Sequence, residues 1–246
     1  ARLPDAPAGT KGISLFVVPK FLVNDDGSLG ERNDMFCNGI EHKLGIHASP
    51  TCTMIFGDSY AQPGGESGAI GWLVGEENRG LNCMFTMMNN ARLMVGIQGV
   101  GIAEAATQKA LEYAKERKQG IAPGSSRADG SNAIIAHPDV QRNLMTMKAL
   151  TAASRAICYS CAQALDLAKL APDADERSLW AERAAILTPL AKSYASDSAE
   201  RAATIGVLVH GGMGYVEETG AARYLRDSKI TQIYEGTNGI QAIDLV

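Results

Sequence analysis

The sequence predicts a mainly α protein: a C-terminal bundle of long helices preceded by a strand-rich segment. Two patterns carry that prediction. Apolar residues recur at helical period from residue 78 onward, whereas the first 75 residues hold short apolar runs bounded by Pro, Gly and Asn-Asp turns. The patterns meet near residue 76, so domains are expected at 1–75 and 76–246.

Each element follows from its own stretch. Residues 12–18 (GISLFVV) form an apolar run ended by Pro19, and Asn24-Asp25-Asp26-Gly27 supplies a turn. Residues 36–42 and 51–56 are further strand candidates, separated by a turn at Gly45 and by Pro50. Residues 69–74 follow a Pro63-Gly64-Gly65 loop. The first long helix, 78–118, carries Leu81, Met84, Phe85 and Met88, then Leu93, Ile97 and Val100 at helical spacing. Met84, Met87 and Met88 read as core. Residues 139–170 and 176–205 read as two more long, Ala-rich helices. A helix of 30 residues is about 45 Å long, which suits a bundle better than a compact α/β domain. Residues 118–138 (KQGIAPGSSRADGSNAIIAHP) form a loop on composition, and short helical pieces at 221–227 and 239–246 finish the chain.

Composition narrows the function classes. The 246 residues, 46% hydrophobic, suffice for one large core or two modest ones. A net charge of -4 and the lack of a basic run interleaved with aromatics argue against a nucleic-acid surface. No apolar stretch approaches the roughly 20 residues of a membrane-spanning helix. The sequence opens at Ala1, in what reads as the middle of a domain, so a fragment of a longer protein is expected. Cys158 and Cys161 make a C-x-x-C, but in an Ala-rich helical run with no strand before it and no second pair. Buried small residues on a helix account for them better than zinc, which needs four ligands; no metal site is expected. The odd count of five cysteines fits a reducing compartment.

The residues with most chemical content lie near the C-terminus. Glu235 stands between Tyr234 and a Gly236-Thr237-Asn238 turn, after the alternation Ile230, Thr231, Gln232, Ile233. A base that removes a weakly acidic carbon proton needs a desolvated carboxylate on a closely approaching backbone. Tyr234 can exclude water, Gly236 lets backbone approach a ligand, and Thr237 and Asn238 offer hydrogen bonds. The plainer alternative is a surface Glu in a turn before a helix capped by Asn238. Gly96, Gly99 and Gly101 read as close helix packing, because no strand precedes them and they fall within a helical pattern. His210 to Tyr215 (HGGMGY) interrupts one helix and precedes another, as a C-cap and turn would. Glu217 and Glu218 read as the start of the helix running to Arg226. Arg223, Arg226 and Lys229 read as a solvated basic face.

Four motifs in order resemble the acyl-CoA dehydrogenase family: Arg92 with Glu116-Arg117-Lys118, His210 to Tyr215, Leu225 to Ile230 (LRDSKI), and Tyr234 to Asn238 followed by Ile240-Gln241. The resemblance covers almost the whole chain apart from an insertion around 120–134. It implies that residues 1–75 are the later part of that family's antiparallel β-barrel domain and 76–246 its C-terminal helical domain. The insertion and the words EHKLGIHASPT resemble the bacterial branch containing 3-methylthiopropionyl-CoA dehydrogenase.

The resemblance implies FAD-dependent α,β-desaturation of an acyl-CoA thioester. Glu235 is then the α-proton base, with Gly236 beside the substrate and the Glu235 backbone N–H polarising the thioester carbonyl. Ala91 occupies the position where other branches place the base, and it cannot take a proton. Arg117, Gly211, Gly212, Thr237 and Asn238 are implied to hold FAD, the glycines approaching its adenine half from a neighbouring subunit. The family's Phe-Gly turn after Arg117-Lys118 is absent. Arg92 is implied to hold the CoA thioester, with Asn89 where many members have an acid. The implied partners are electron-transferring flavoprotein and further copies in a homodimer or homotetramer, in a bacterial cytoplasm rather than a mitochondrial matrix. An acyl-CoA oxidase and a catalytically silent scaffold of the same fold are the alternatives.

Overall fold

The computed structural model describes residues 1–59 and 67–246; the Pro63-Gly64-Gly65 loop lies outside the described residues. The chain divides into two compact units, 1–88 and 89–246. In the first, six short strands form three antiparallel two-stranded ladders: β1 (Leu15–Val17) with β6 (Trp72–Val74), β2 (Phe21–Val23) with β3 (Leu29–Arg32), and β4 (Met35–Ile40) with β5 (Cys52–Phe56). The expected strands are present but shorter, and the Asn24–Gly27 turn closes a β2–β3 hairpin that the sequence reading left as a turn alone. Gly27 supplies the left-handed residue there, at φ +83°, and its N–H donates to Asn24 O. Buried polar side chains stand in for a large apolar core. The Asn33 amide donates to Pro19 O and Ile70 O at 2.9 and 2.7 Å, and Ser14 Oγ accepts from Asn78 N at 2.8 Å.

The second unit is built from long helices. These are α1 (Gly80–Glu116, begun in the first unit), α2 (Pro138–Leu170) and α3 (Ala174–His210), with α4 (Ala221–Lys229) and α5 (Asn238–Ile243) against α3. The contact faces are small rather than bulky. Ala103, Ala106, Ala110 and Ala114 on α1 meet Ala199, Ala202 and Ala203 on α3, with Leu144 and Met147 of α2 filling the space between. Small side chains bring helix backbones close. A Cβ on Gly96 would lie 2.9 Å from Ala191 O, and one on Gly99 2.7 Å from Ala195 O. The packing role expected of Gly96 and Gly99 is thus observed, but a Cβ on Gly101 would meet nothing within 4 Å. Buried hydroxyls return to the carbonyl one turn back, as Thr107, Thr151 and Thr188 do.

Chain punctuation follows side-chain chemistry. Asp173 caps α3, accepting from Asp175 N and Glu176 N. Residues 117–137 hold two short 3-10 turns and one β-bridge, Lys118 to Ala133, in place of a long helix. Three readings change. Met87 is exposed rather than core. Glu217 and Glu218 sit in a separate 3-10 turn before α4 instead of opening it, and Glu217 pairs with Arg226 at 3.0 Å. With Lys229 beside Glu200 at 3.5 Å, the expected basic face is largely neutralised.

Candidate active site

The Glu235 loop is set by what precedes and follows it. After α4 a 3-10 turn (Ile230–Gln232) buries Thr231, whose hydroxyl donates to Ser228 O at 2.6 Å. The Tyr234 hydroxyl donates to Gln98 Oε1 on α1, and burial pushes that phenol's pKa up. The backbone then turns left-handed twice, at Glu235 (φ +54°) and Gly236 (φ +83°). A non-glycine residue there is strained by about 1 kcal/mol, a cost that clusters at functional sites. The φ of +83° at Gly236 favours glycine, and a Cβ there would lie 2.9 Å from Gln241 Nε2, displacing that clamp. The Glu235 side chain is half-buried, and its backbone N–H has no hydrogen-bond partner among the described residues.

Two side chains clamp this turn. Gln241, fully buried, donates from Nε2 to Glu235 O at 3.4 Å and Gly236 O at 3.2 Å. Its Oε1 is buried without a partner. On the far side Asn238 faces α3: its Oδ1 accepts from Lys192 Nζ at 2.9 Å, and its Nδ2 donates to Asp197 Oδ1 at 2.7 Å. Asp197 also accepts from Gln232 Nε2 at 2.7 Å, so α3 grips the chain on both sides of Glu235. The cap of α5 is Thr237, whose Oγ1 accepts from Ile240 N, rather than Asn238. Lys192 has no exposed surface, and burial pulls its ammonium down to about 8; Asp197 and Glu235 oppose that shift while Arg92 adds to it.

Arg92 reaches the same place from α1. Its Nη1 pairs with Asp244 at 2.7 Å, and its buried Nε has no partner. Asn89 and Arg92 line a cleft of about 390 Å³ with Leu165, Thr188, Pro189 and Asp244. The structure therefore brings together Glu235, Gly236, Thr237, Asn238 and Arg92, with Asn89 exposed at the edge. The Asn238 amide is committed to α3, which leaves its side chain as an anchor of the loop.

Arg117, Gly211 and Gly212 lie elsewhere. His210, at the end of α3, stacks on Tyr113 of α1 with ring centroids 4.4 Å apart, so α3 ends against α1 one turn before Arg117. Tyr113 is 15 residues beyond Gln98 on α1, about 22 Å at helical rise. Gly211 and Gly212 are exposed, and a Cβ on either would meet nothing within 4 Å. The Arg117 guanidinium has no partner among the described residues. The open backbone of Gly211 and Gly212 would admit the adenine portion of FAD, the Arg117 cation would suit its anionic portion, and the exposed Thr237 hydroxyl is available at the Glu235 loop.

Cys158 and Cys161 are both fully buried on α2, and burial raises the Cys158 thiol to about 11, as inert helix residues require. No metal-ligand cluster occurs among the described residues. Sequence reasoning gave no role to Lys192, Gln98, Gln241 or Asp244. One signal was present: Thr188, Lys192, Ala195 and Ala199 fall in phase on the small-residue stripe of α3, where a lysine is out of place.

Comparison with known proteins identifies the family. Residues 78–246 match the acyl-CoA dehydrogenase C-terminal domain. The chain is 47% identical over 246 residues to 3-methylmercaptopropionyl-CoA dehydrogenase of Ruegeria pomeroyi, covering 100% of the chain and 40% of that protein. It is 42% identical over 249 residues to a butyryl-CoA dehydrogenase of Syntrophomonas wolfei, covering 99% and 40%. The solved structure of butyryl-CoA dehydrogenase from Megasphaera elsdenii superposes with a TM-score of 0.70 at 29% identity, over 98% of the chain and 53% of that structure. The chain thus spans about 40% of the length of the two sequence relatives, and with its helical bundle and matched C-terminal domain it belongs to the acyl-CoA dehydrogenase family.

Proposed function

We propose that this chain carries the base half of an FAD-dependent acyl-CoA dehydrogenase, with Glu235 removing the α proton of an acyl-CoA thioester. The carrying observation is the loop itself: a left-handed Glu235 with an unpaired backbone N–H, clamped from both sides. An α proton is too weakly acidic for a free carboxylate unless the thioester carbonyl is polarised. The Glu235 N–H is free to donate to that carbonyl while the carboxylate takes the proton, which ends on a Glu235 oxygen. Tyr234, held by Gln98, excludes water beside the carboxylate, and Arg92, neutralised by Asp244, borders Gly236. Bound FAD would supply the hydride acceptor for the β carbon. Thr237 offers it a hydroxyl, and Arg117, Gly211 and Gly212 fit its far end.

The Ruegeria pomeroyi relative supports a short, sulfur-containing acyl group, 3-methylthiopropionyl, as the substrate. Electron-transferring flavoprotein is the proposed electron acceptor, a homodimer or homotetramer the proposed assembly, and the bacterial cytoplasm the proposed compartment. No helix among the described residues is long and apolar enough to cross a membrane.

The test is anaerobic bleaching of the flavin in the full-length protein by 3-methylthiopropionyl-CoA, with Glu235→Gln beside it. The wild type should bleach rapidly, and the variant at least about 100-fold more slowly. Equal rates would remove Glu235 as the base. Bleaching by butyryl-CoA alone would reassign the substrate.

A further inference from the structure

We infer that Lys192 is a positioning residue for the Glu235 loop, its buried ammonium acting through the side-chain oxygen of Asn238. The inference rests on the reading of Glu235 as the base, and it adds a residue to which the family resemblance gave no role.

Lys192 is among the largest side chains without any exposed surface, and it belongs to a buried face of α3 made mostly of Ala, Ser and Thr. Lysine is almost never fully buried unless paired. Among the described residues no salt bridge within 4 Å compensates it, although Asp197 and Glu235 act on it from farther away. The one hydrogen bond among the described residues is Nζ to Asn238 Oδ1 at 2.9 Å, a neutral acceptor. An ammonium has three donors, and among the described residues one of them has a hydrogen-bond partner. Methionine or leucine at this place would spare that desolvation, so stability alone gives no reason for the charge.

What the ammonium fixes is the residue three beyond Glu235. Asn238 is the first residue of α5, and Ser196 Oγ also reaches its Oδ1, at 3.2 Å. With Oδ1 held by Lys192 and Nδ2 held by Asp197, the Asn238 amide cannot rotate. The turn between Tyr234 and α5 is then pinned at both ends, since Gln241 grips the carbonyls of Glu235 and Gly236. Releasing the Asn238 end frees Glu235 to relax from φ +54° toward an unstrained conformation. Its N–H and carboxylate would then lose their common aim. The charges around the ammonium are Asp197 on its own helix, Glu235 in the loop and Arg92 on α1, itself paired with Asp244. The ammonium also keeps positive charge behind the carboxylate.

The test uses the flavin-loaded full-length protein with Lys192→Met, Lys192→Gln and Asn238→Ala. Two quantities are read: flavin reduction by 3-methylthiopropionyl-CoA and butyryl-CoA, and amide hydrogen exchange of the peptide spanning 233–241. Lys192→Met should slow reduction at saturating thioester about 10- to 100-fold, with the half-saturating concentration changed less than about threefold. Exchange should rise in 233–241 and stay constant in α2. Lys192→Gln, which keeps a neutral donor, should recover part of the rate. Adding Asn238→Ala to Lys192→Met should cost little more than either alone. Unchanged exchange in 233–241, or rate losses that multiply in the double variant, would overturn the inference. Should Lys192→Met fail to fold, Asn238→Ala decides on the same two readouts. Failure of the wild-type flavin to bleach with either thioester would sink the functional reading instead, while the exchange difference would still decide the positioning role.

Discussion

At the residue scale the site is a balance of strain and clamps, and Lys192 makes the balance measurable. Its ammonium is lowered from the ordinary 10.5 to about 8 in the folded chain. Between those values the unfolded chain holds a proton that the folded chain has released, so stability rises with pH across that window. The rise is about 3 kcal/mol at most. Lys192→Met lacks this titration. The denaturation midpoint of the wild type should therefore gain on that of the variant from pH 8 to 10.5, and a constant difference would show that the ammonium is not desolvated. His210 titrates in the acid range: burial lowers its pKa, partly offset by its bond to Gly206 O at 2.7 Å. Stability that depends on neutral His210 is complete above about pH 6.5 and falls below it.

At the scale of elements, helix contact is governed by atoms that are missing. Gly96 and Gly99 face backbone carbonyls of α3 at distances a Cβ cannot share, whereas Gly101 on the same helix faces open space. Gly99→Ala should force α1 away from α3 and cost about 1–3 kcal/mol. Gly101→Ala should be neutral or stabilise by up to about 1 kcal/mol, through helix propensity alone. Thermal or denaturant unfolding of the pair checks both, and equal effects would refute the close-packing account. The helix was legible here because apolar residues recur in phase, as in Leu93, Ile97 and Val100, whereas the alanine contact face of Ala103, Ala106 and Ala110 emerged only in the structure. Pro189 inside α3 shows the limit of local rules, since flanking turns and packing carry the helix through it. The β2–β3 hairpin was not legible, because its strands have three and four residues and too little alternation to register.

At the scale of the helical unit, the Glu235 loop meets α1 at Gln98 and the end of α3 meets it at Tyr113, about 20 Å apart along the helix. A single flavin ring cannot touch both. The FAD contacts proposed for Thr237 and for the glycines therefore require an extended cofactor or one shared between copies. Gly212→Val is informative because a Cβ there would meet nothing within 4 Å among the described residues. The variant should keep its melting temperature without flavin yet retain less FAD after gel filtration, read as the ratio of absorbance at 450 and 280 nm. Undiminished flavin content would remove Gly212 from the cradle.

The sequence by itself determined the class of the fold, the long helices to within a few residues, the inertness of Cys158 and Cys161, and the candidacy of Glu235. Each of these depends on local pattern: period, turn chemistry, or an ordered set of motifs. Tertiary structure alone decided how the candidate is held. Lys192, 43 residues before Glu235, and Gln98, 136 before Tyr234, reach the loop only because α1 and α3 pack through alanines and glycines. The same packing turned Asn238 inward and made Thr237 the cap of α5. Burial, which gives a lysine or a carboxylate its chemistry, is a property of the assembled helices and has no local signature in the chain.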